Sequence, residues 1–139
     1  MRRNTKAGER AVMLGALVAS VARDVIVESE CGLTESEVRL LWMVDPTAPP
    51  KIIGEYAELM RFDRGSLSLI GGKLERMGLA ERVPFPGDRR FRTLKLTTAG
   101  RRLRTRLIKS AAALLPLEAL TAKEQERLVT LLTKVLAAV

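Results

Sequence analysis

The run Asp88-Arg89-Arg90-Phe91-Arg92-Thr93-Leu94-Lys95-Leu96-Thr97-Thr98-Ala99-Gly100 constrains the fold of this chain more than any other stretch. It sets a basic turn, a short strand and a capped helix start in immediate succession. A chain with this run needs a hairpin joined directly to a helix, and a hairpin so basic suits an anionic polymer. The rest of the sequence reads as helices before and after that hairpin, with no internal repeat, low-complexity tract or long linker.

The charge is concentrated in the same region. Residues 61–109 hold fourteen lysines and arginines against four acids, a net +10, whereas the other residues, ten basic and twelve acidic, sum to −2. A solvated surface spreads its charge, and a nucleic-acid footprint gathers it. The 139 residues fit one domain, or one DNA-binding lobe sharing a core with an oligomerisation lobe. Hydrophobic content of 47% argues for an ordered, mainly aliphatic interior.

Arg2, Arg3, Lys6 and Arg10 precede an apolar run at residues 11–22, the order in which a secretory signal also begins. Glu9 among the basic residues, and continuation of the apolar pattern past Arg23 and Asp24 into Val25, Ile26 and Val27, favour a buried helix. The run is too short to span a membrane, and no other segment approaches the length needed. The expectation is a soluble cytoplasmic protein without membrane association.

Residues 7–30 carry Val12, Leu14, Leu17, Val18, Val21, Val25 and Ile26, with alanines on most remaining faces, which predicts burial on several sides. At the far end Thr121-Ala122-Lys123-Glu124 is a capping box. The helix it opens carries Leu128, Leu131, Leu132, Val135, Leu136 and Val139 as one apolar stripe. Pro116 divides that helix from an earlier one at about residues 98–115. A small monomer has little to cover two such ends, so they are expected to pack together in a two-fold dimer; an intrachain helical bundle is the alternative.

The centre reads as a helix-turn-helix. Thr34-Glu35-Ser36-Glu37 is a second capping box, opening a helix with Val38, Leu41, Trp42 and Val44 on its apolar side and Trp42 in the core. Asp45-Pro46 and Pro49-Pro50 break it. Helix resumes near Lys51, burying Ile52, Ile53, Tyr56, Ala57, Leu59 and Met60. Asp63 can cap a further helix that runs to Met77 and stops at Gly78. Leu67, Ile70 and Leu74 should point inward on it, leaving Arg64, Ser66, Ser68, Leu69 and Lys73 outward. Hydroxyls, cations and an aliphatic group are what base edges, phosphates and thymine methyls accept, although many solvated helix faces look similar. Gly65, Gly71 and Gly72 weaken this helix, which close approach of DNA or a neighbouring helix would explain. Beyond Gly78, Leu79-Ala80-Glu81-Arg82-Val83, Pro84-Phe85-Pro86-Gly87 and the opening run give strand, turn and strand. Asp88 can accept hydrogen bonds from Arg90 and aim its guanidinium, while Arg89 and Arg92 add unpaired charge suited to a narrow minor groove.

The order of these elements resembles the multiple-antibiotic-resistance regulator family, MarR. The resemblance is sharpest over residues 34–100. It rests on Leu74-Glu75-Arg76-Met77-Gly78-Leu79, on Asp88-Arg89-Arg90 and on Leu96-Thr97-Thr98-Ala99-Gly100. It implies a mainly α fold with a small β-hairpin wing: a winged helix-turn-helix lobe at residues 33–97 between dimerisation helices at 1–32 and 98–139. It also implies a homodimer on a pseudo-palindromic operator in double-stranded DNA, usually repressing nearby genes until a small molecule or oxidant alters the lobe spacing. By that resemblance Ser66, Ser68, Leu69 and Lys73 occupy the major groove, and Asp88, Arg89 and Arg90 form the wing at the minor groove. Leu69 departs from the polar or basic residue common in the family and Gly71 from an aliphatic one, which shifts weight to shape readout.

Cys31 is the single cysteine, so no intrachain disulfide forms, and the acids Glu28 and Glu30 beside it disfavour a reactive thiolate and argue against a peroxide sensor. A small-molecule effector is the other expectation, in a cleft where dimer helices meet the winged lobe. The absence of histidine, of metal-ligand spacing and of a nucleophile–base pair leaves no enzyme, metal or cofactor to expect. A winged-helix interaction module or RNA binder without operator specificity remains the alternative.

Overall fold

The computed structural model describes residues 5–138; Arg2, Arg3 and Val139 lie outside that range, and so do the side chains of Ala22, Val27 and Glu28. The chain runs α1 (Lys6–Glu28), α2 (Glu35–Met43), α3 (Ile53–Met60), α4 (Arg64–Arg76), β1 (Ala80–Phe85), β2 (Asp88–Leu96), α5 (Thr98–Leu114), a 3-10 turn (Leu117–Ala119) and α6 (Ala122–Ala137). This is the expected mainly α fold with one antiparallel hairpin.

Local chemistry sets the helix starts. The Thr34 backbone N–H donates to Glu37 Oε2 at 2.7 Å while the Glu37 N–H reaches Thr34 Oγ1 at 3.4 Å, and Thr121 with Glu124 repeats the arrangement at α6. Asp63 caps α4, accepting from the Ser66 N–H at 2.8 Å. Gly78, at φ +70°, closes that helix in the left-handed region where glycine has no Cβ penalty.

The core gathers Val38, Leu40 and Leu41 of α2, Tyr56, Ala57 and Met60 of α3, Leu67 and Leu74 of α4, Leu94 and Leu96 of β2, and Leu107 of α5. Complete burial of each such leucine contributes about 1.5–3 kcal/mol. Trp42 packs against this core but is only half-buried. Leu59 is a correction to the expected inner face of α3, being 54% exposed. Tyr56, Ala57 and Met60 define that face, and at 100° per residue Leu59 falls off its edge.

The hairpin also corrects the sequence expectation. Its turn is Pro86–Gly87, with Gly87 at φ +87°, and Asp88, Arg89 and Arg90 open strand β2 instead of forming the turn. Pro84 sits inside β1, opposite Arg92 and next to an irregularity in register. A two-stranded sheet has only edge strands, and an edge tolerates a proline.

Hairpin and α5 are joined by a tight knot. Thr97 caps α5, accepting from the Gly100 N–H at 3.1 Å, and its hydroxyl donates to the Gly78 carbonyl at 2.6 Å. The Thr97 N–H donates to the Leu79 carbonyl at 3.0 Å. A Cβ on Gly100 would lie 1.9 Å from that same carbonyl oxygen, so only glycine fits.

The two ends stay uncovered within one chain. Val12, Met13, Leu14, Leu17 and Val18 of α1 are each at least half exposed, against an expectation of burial on several sides, and α6 buries none of its described residues. The intrachain bundle does not form. No helix among the described residues is long and apolar enough to cross a membrane.

Candidate nucleic-acid interface

Helix α4 turns Leu67, Gly71 and Leu74 inward. Its exposed line is centred on Leu69, which is 75% accessible, with Gly65 and Arg76 also exposed at the spacings of four and seven that share a face. Arg76 was not among the residues read from sequence as facing outward. Arg64 is exposed, while Ser66, Ser68 and Lys73 are half-buried.

Three of these side chains or their backbones are held by neighbours. The Ser66 hydroxyl donates to Asp63 Oδ2 at 2.8 Å, and the Ser66 backbone and hydroxyl hydrogen bonds hold the Asp63 carboxyl below the usual aspartate range. Lys73 Nζ lies 3.8 Å from Glu37 Oε1, so the carboxylate that caps α2 also restrains the recognition-helix candidate. The Ser68 carbonyl accepts from the Arg82 guanidinium.

On the hairpin, Asp88 accepts from the Arg90 backbone at 3.1 Å and from its guanidinium at 3.0 and 2.7 Å, the fork expected from the sequence. The Arg90 side-chain bonds, then the backbone bond, lower the Asp88 pKa. Arg90 remains 83% exposed as a side chain and lies 5.8 Å from the Phe91 ring centroid. Arg89 and Arg92 are exposed and form no ion pair among the described residues.

Elements distant in sequence meet in a cleft of about 240 Å³. Arg64 from the start of α4 and Arg90 and Arg92 from β2 line it together with Arg82, beside Ile53 and Gly54 at the N-terminus of α3. Four guanidinium groups next to a helix N-terminus make an anion-binding environment.

No protein-family model and no curated protein matches this sequence. Solved structures do. CouR from Rhodococcus jostii RHA1, bound to p-coumaroyl-CoA, superposes with a TM-score of 0.75 at 22% identity, over 94% of this chain and 92% of CouR. NadR in complex with 4-hydroxyphenylacetate gives 0.78 at 19%, over 98% and 96%. Wild-type MarR from E. coli, in its apo form, gives 0.65 at 23%, over 96% and 98%. The chain has the MarR winged-helix fold. In that MarR fold α3 and α4 are the helix-turn-helix and β1–β2 the wing, as the sequence motifs imply.

Arg82 lines the cleft and links the hairpin to α4, a role that the sequence reading missed. From β1 it reaches across to α4, bonding the Ser68 carbonyl and pairing with Glu75 Oε1 at 2.5 Å. Its Nη2 would lie 3.5 and 3.6 Å from a Cβ at Gly71 and Gly72. These are ordinary contact distances that an alanine would also meet; with Leu94 also over Gly71, what approaches this face of α4 is the hairpin and not a neighbouring helix.

Proposed function

We propose that this chain is a sequence-specific, double-stranded-DNA-binding transcription regulator acting in the cytoplasm as a homodimer. It represses from a pseudo-palindromic operator and responds to a small-molecule effector. The observation that carries this reading is the convergence of Arg64 from α4 with Arg90 and Arg92 from the hairpin on one basic cleft. That arrangement allows phosphate contact between a helix for the major groove and a wing for the minor groove. Leu69 at the centre of the exposed line of α4 suits a thymine methyl.

The dimer is supported by exposed area. The chain presents 10335 Å² to solvent, whereas a compact monomer of 15.3 kDa exposes roughly 7,100 Å². The excess of roughly 3,200 Å² per chain, roughly 6,400 Å² for a pair, is large enough to supply an obligate homodimer interface, which buries about 2,000–5,000 Å² in total. Much of the exposed apolar surface lies on α1 and α6, which supports dimerisation through helices near the two ends of the chain. An effector is supported by the ligands named for CouR and NadR, both aromatic acids or their thioesters.

Selection of preferred sequences from random duplexes with the purified protein tests the proposal. The expected product is a two-fold symmetric site whose binding weakens in Arg89→Ala and Arg90→Ala. Recovery of no enriched or symmetric site overturns operator binding, and tighter binding to RNA at matched salt would favour an RNA-binding module.

A further inference from the structure

Five of the fourteen basic residues in the central segment lie on α5, a helix without a single acidic residue. Two of the five are occupied structurally: Arg101 bonds the Leu96 carbonyl and the Thr98 hydroxyl, and Arg104 bonds the Trp42 carbonyl through Nε and Nη2. Arg102, Arg106 and Lys109 are exposed and pair with no acid among the described residues. Their spacings of four and three stack them on one another, and like charges so placed destabilise a helix. The fold does not use this repulsion for packing, because the row lies on the side of α5 opposite buried Leu107.

The same side of α5 forms a shallow groove of about 690 Å³, in which these three cations are joined by the hydroxyl residues Thr98, Thr105 and Ser110. Cations and hydroxyls along one face are the donor set for phosphate oxygens, without any carboxylate to compete. Helix α5 packs on α1, α2 and β2, so the row is built on a different helix from the arginine cleft between α4 and the wing.

We propose that the outward face of α5 binds a phosphorylated small-molecule anion carrying at least three negative charges, through Arg102, Arg106 and Lys109. This deepens the effector part of the proposed function and rests on it only for its regulatory meaning; the binding itself is tested without DNA. Inorganic tripolyphosphate is the probe, titrated calorimetrically into the full chain against sodium sulfate at matched ionic strength. Wild type should bind tripolyphosphate at least tenfold more tightly than sulfate, and the Arg102→Gln/Arg106→Gln/Lys109→Gln variant should lose at least tenfold in affinity. The variant should melt no lower than wild type, since it removes like-charge contacts. Equal affinity for the two anions, or unchanged tripolyphosphate binding by the variant, overturns the proposal. Duplex-DNA binding, measured with no added polyphosphate, should change less than twofold in the variant. A tenfold loss there would assign the row to the DNA interface and also overturn the proposal, leaving operator binding intact.

Discussion

Replacing Gly100 by alanine sets two effects of opposite sign against each other. Gly100 is in the first turn of α5, and alanine at a helical position is favoured over glycine by up to about 1 kcal/mol. Against this, the new Cβ would lie 1.9 Å from the Leu79 carbonyl oxygen, and backbone at both sides prevents a side chain from yielding. Separation to an ordinary contact needs a movement of at least roughly 1.5 Å. That movement strains the Thr97 N–H bond to Leu79 and the Thr97 hydroxyl bond to Gly78. Losing both costs about 1–3 kcal/mol, and forcing the backbones apart adds about 1–3 kcal/mol. The clash wins, with a net loss of about 1–6 kcal/mol and a fall in Tm of roughly 3–20 °C for a chain of this size. Thermal melts at one fixed protein concentration check this, with Gly72→Ala as control. A Cβ there meets only flexible guanidinium ends at 3.4 and 3.6 Å, so the control should be neutral or stabilised. Gly100→Ala melting at or above wild type would refute the close-approach explanation of this glycine.

Other expected outcomes follow from the same geometry. Arg89→Ala should flatten the dependence of log Kd on log salt by about one unit in duplex titrations, and an unchanged slope would remove Arg89 from phosphate contact. Leu69→Ala should change Tm negligibly, the side chain being 75% exposed, yet weaken binding by about 1 kcal/mol at a site with a thymine methyl opposite it, read by comparing base-substituted duplexes. Because its folded pKa is lowered, Asp88 contributes its hold on Arg90 above the ordinary aspartate pKa and loses it only as pH falls through the lowered value. Carboxyl NMR titration should therefore show a low midpoint for Asp88 that returns toward the ordinary range in Arg90→Ala. Leu132→Glu with Val135→Glu should dissociate the proposed dimer in sedimentation experiments, both residues being exposed in the single chain.

What the sequence made legible was local. Thr34 with Glu37, Thr121 with Glu124, Asp63 and Gly78 set helix ends through contacts within a few residues, and each stands where expected. The Asp88–Arg90 fork is also local, spanning two residues. What escaped depends on partners far along the chain. Lys73 meets Glu37 across 36 residues, and Arg82 reaches Ser68 and Glu75 only once the hairpin folds back over α4. The adjacent glycines Gly71 and Gly72 were a usable signal, since two helix-weakening residues together ask for something to lie on them. Leu40 and Leu107, both fully buried, owe that burial to the packing of other elements around them.

The proposed interface contains two kinds of cation, and the difference has consequences for recognition. Lys73, Arg82 and Arg90 are each held by an acid of this chain. Arg64, Arg76, Arg89 and Arg92 form no ion pair among the described residues and are exposed. Fixing a free arginine on DNA costs roughly 0.5–1.5 kcal/mol of side-chain entropy, and a group already held loses less. Held groups also bring a fixed direction, so they contribute to register and fit. Unheld groups adapt to any phosphate track and contribute salt-sensitive affinity for every sequence. On this division, Arg90 is the better candidate for the arginine that enters the minor groove, because Asp88 aims it, while Arg89 serves the backbone. A duplex with a widened minor groove at the wing position should then penalise wild type more than Arg90→Ala, and should penalise wild type and Arg89→Ala alike.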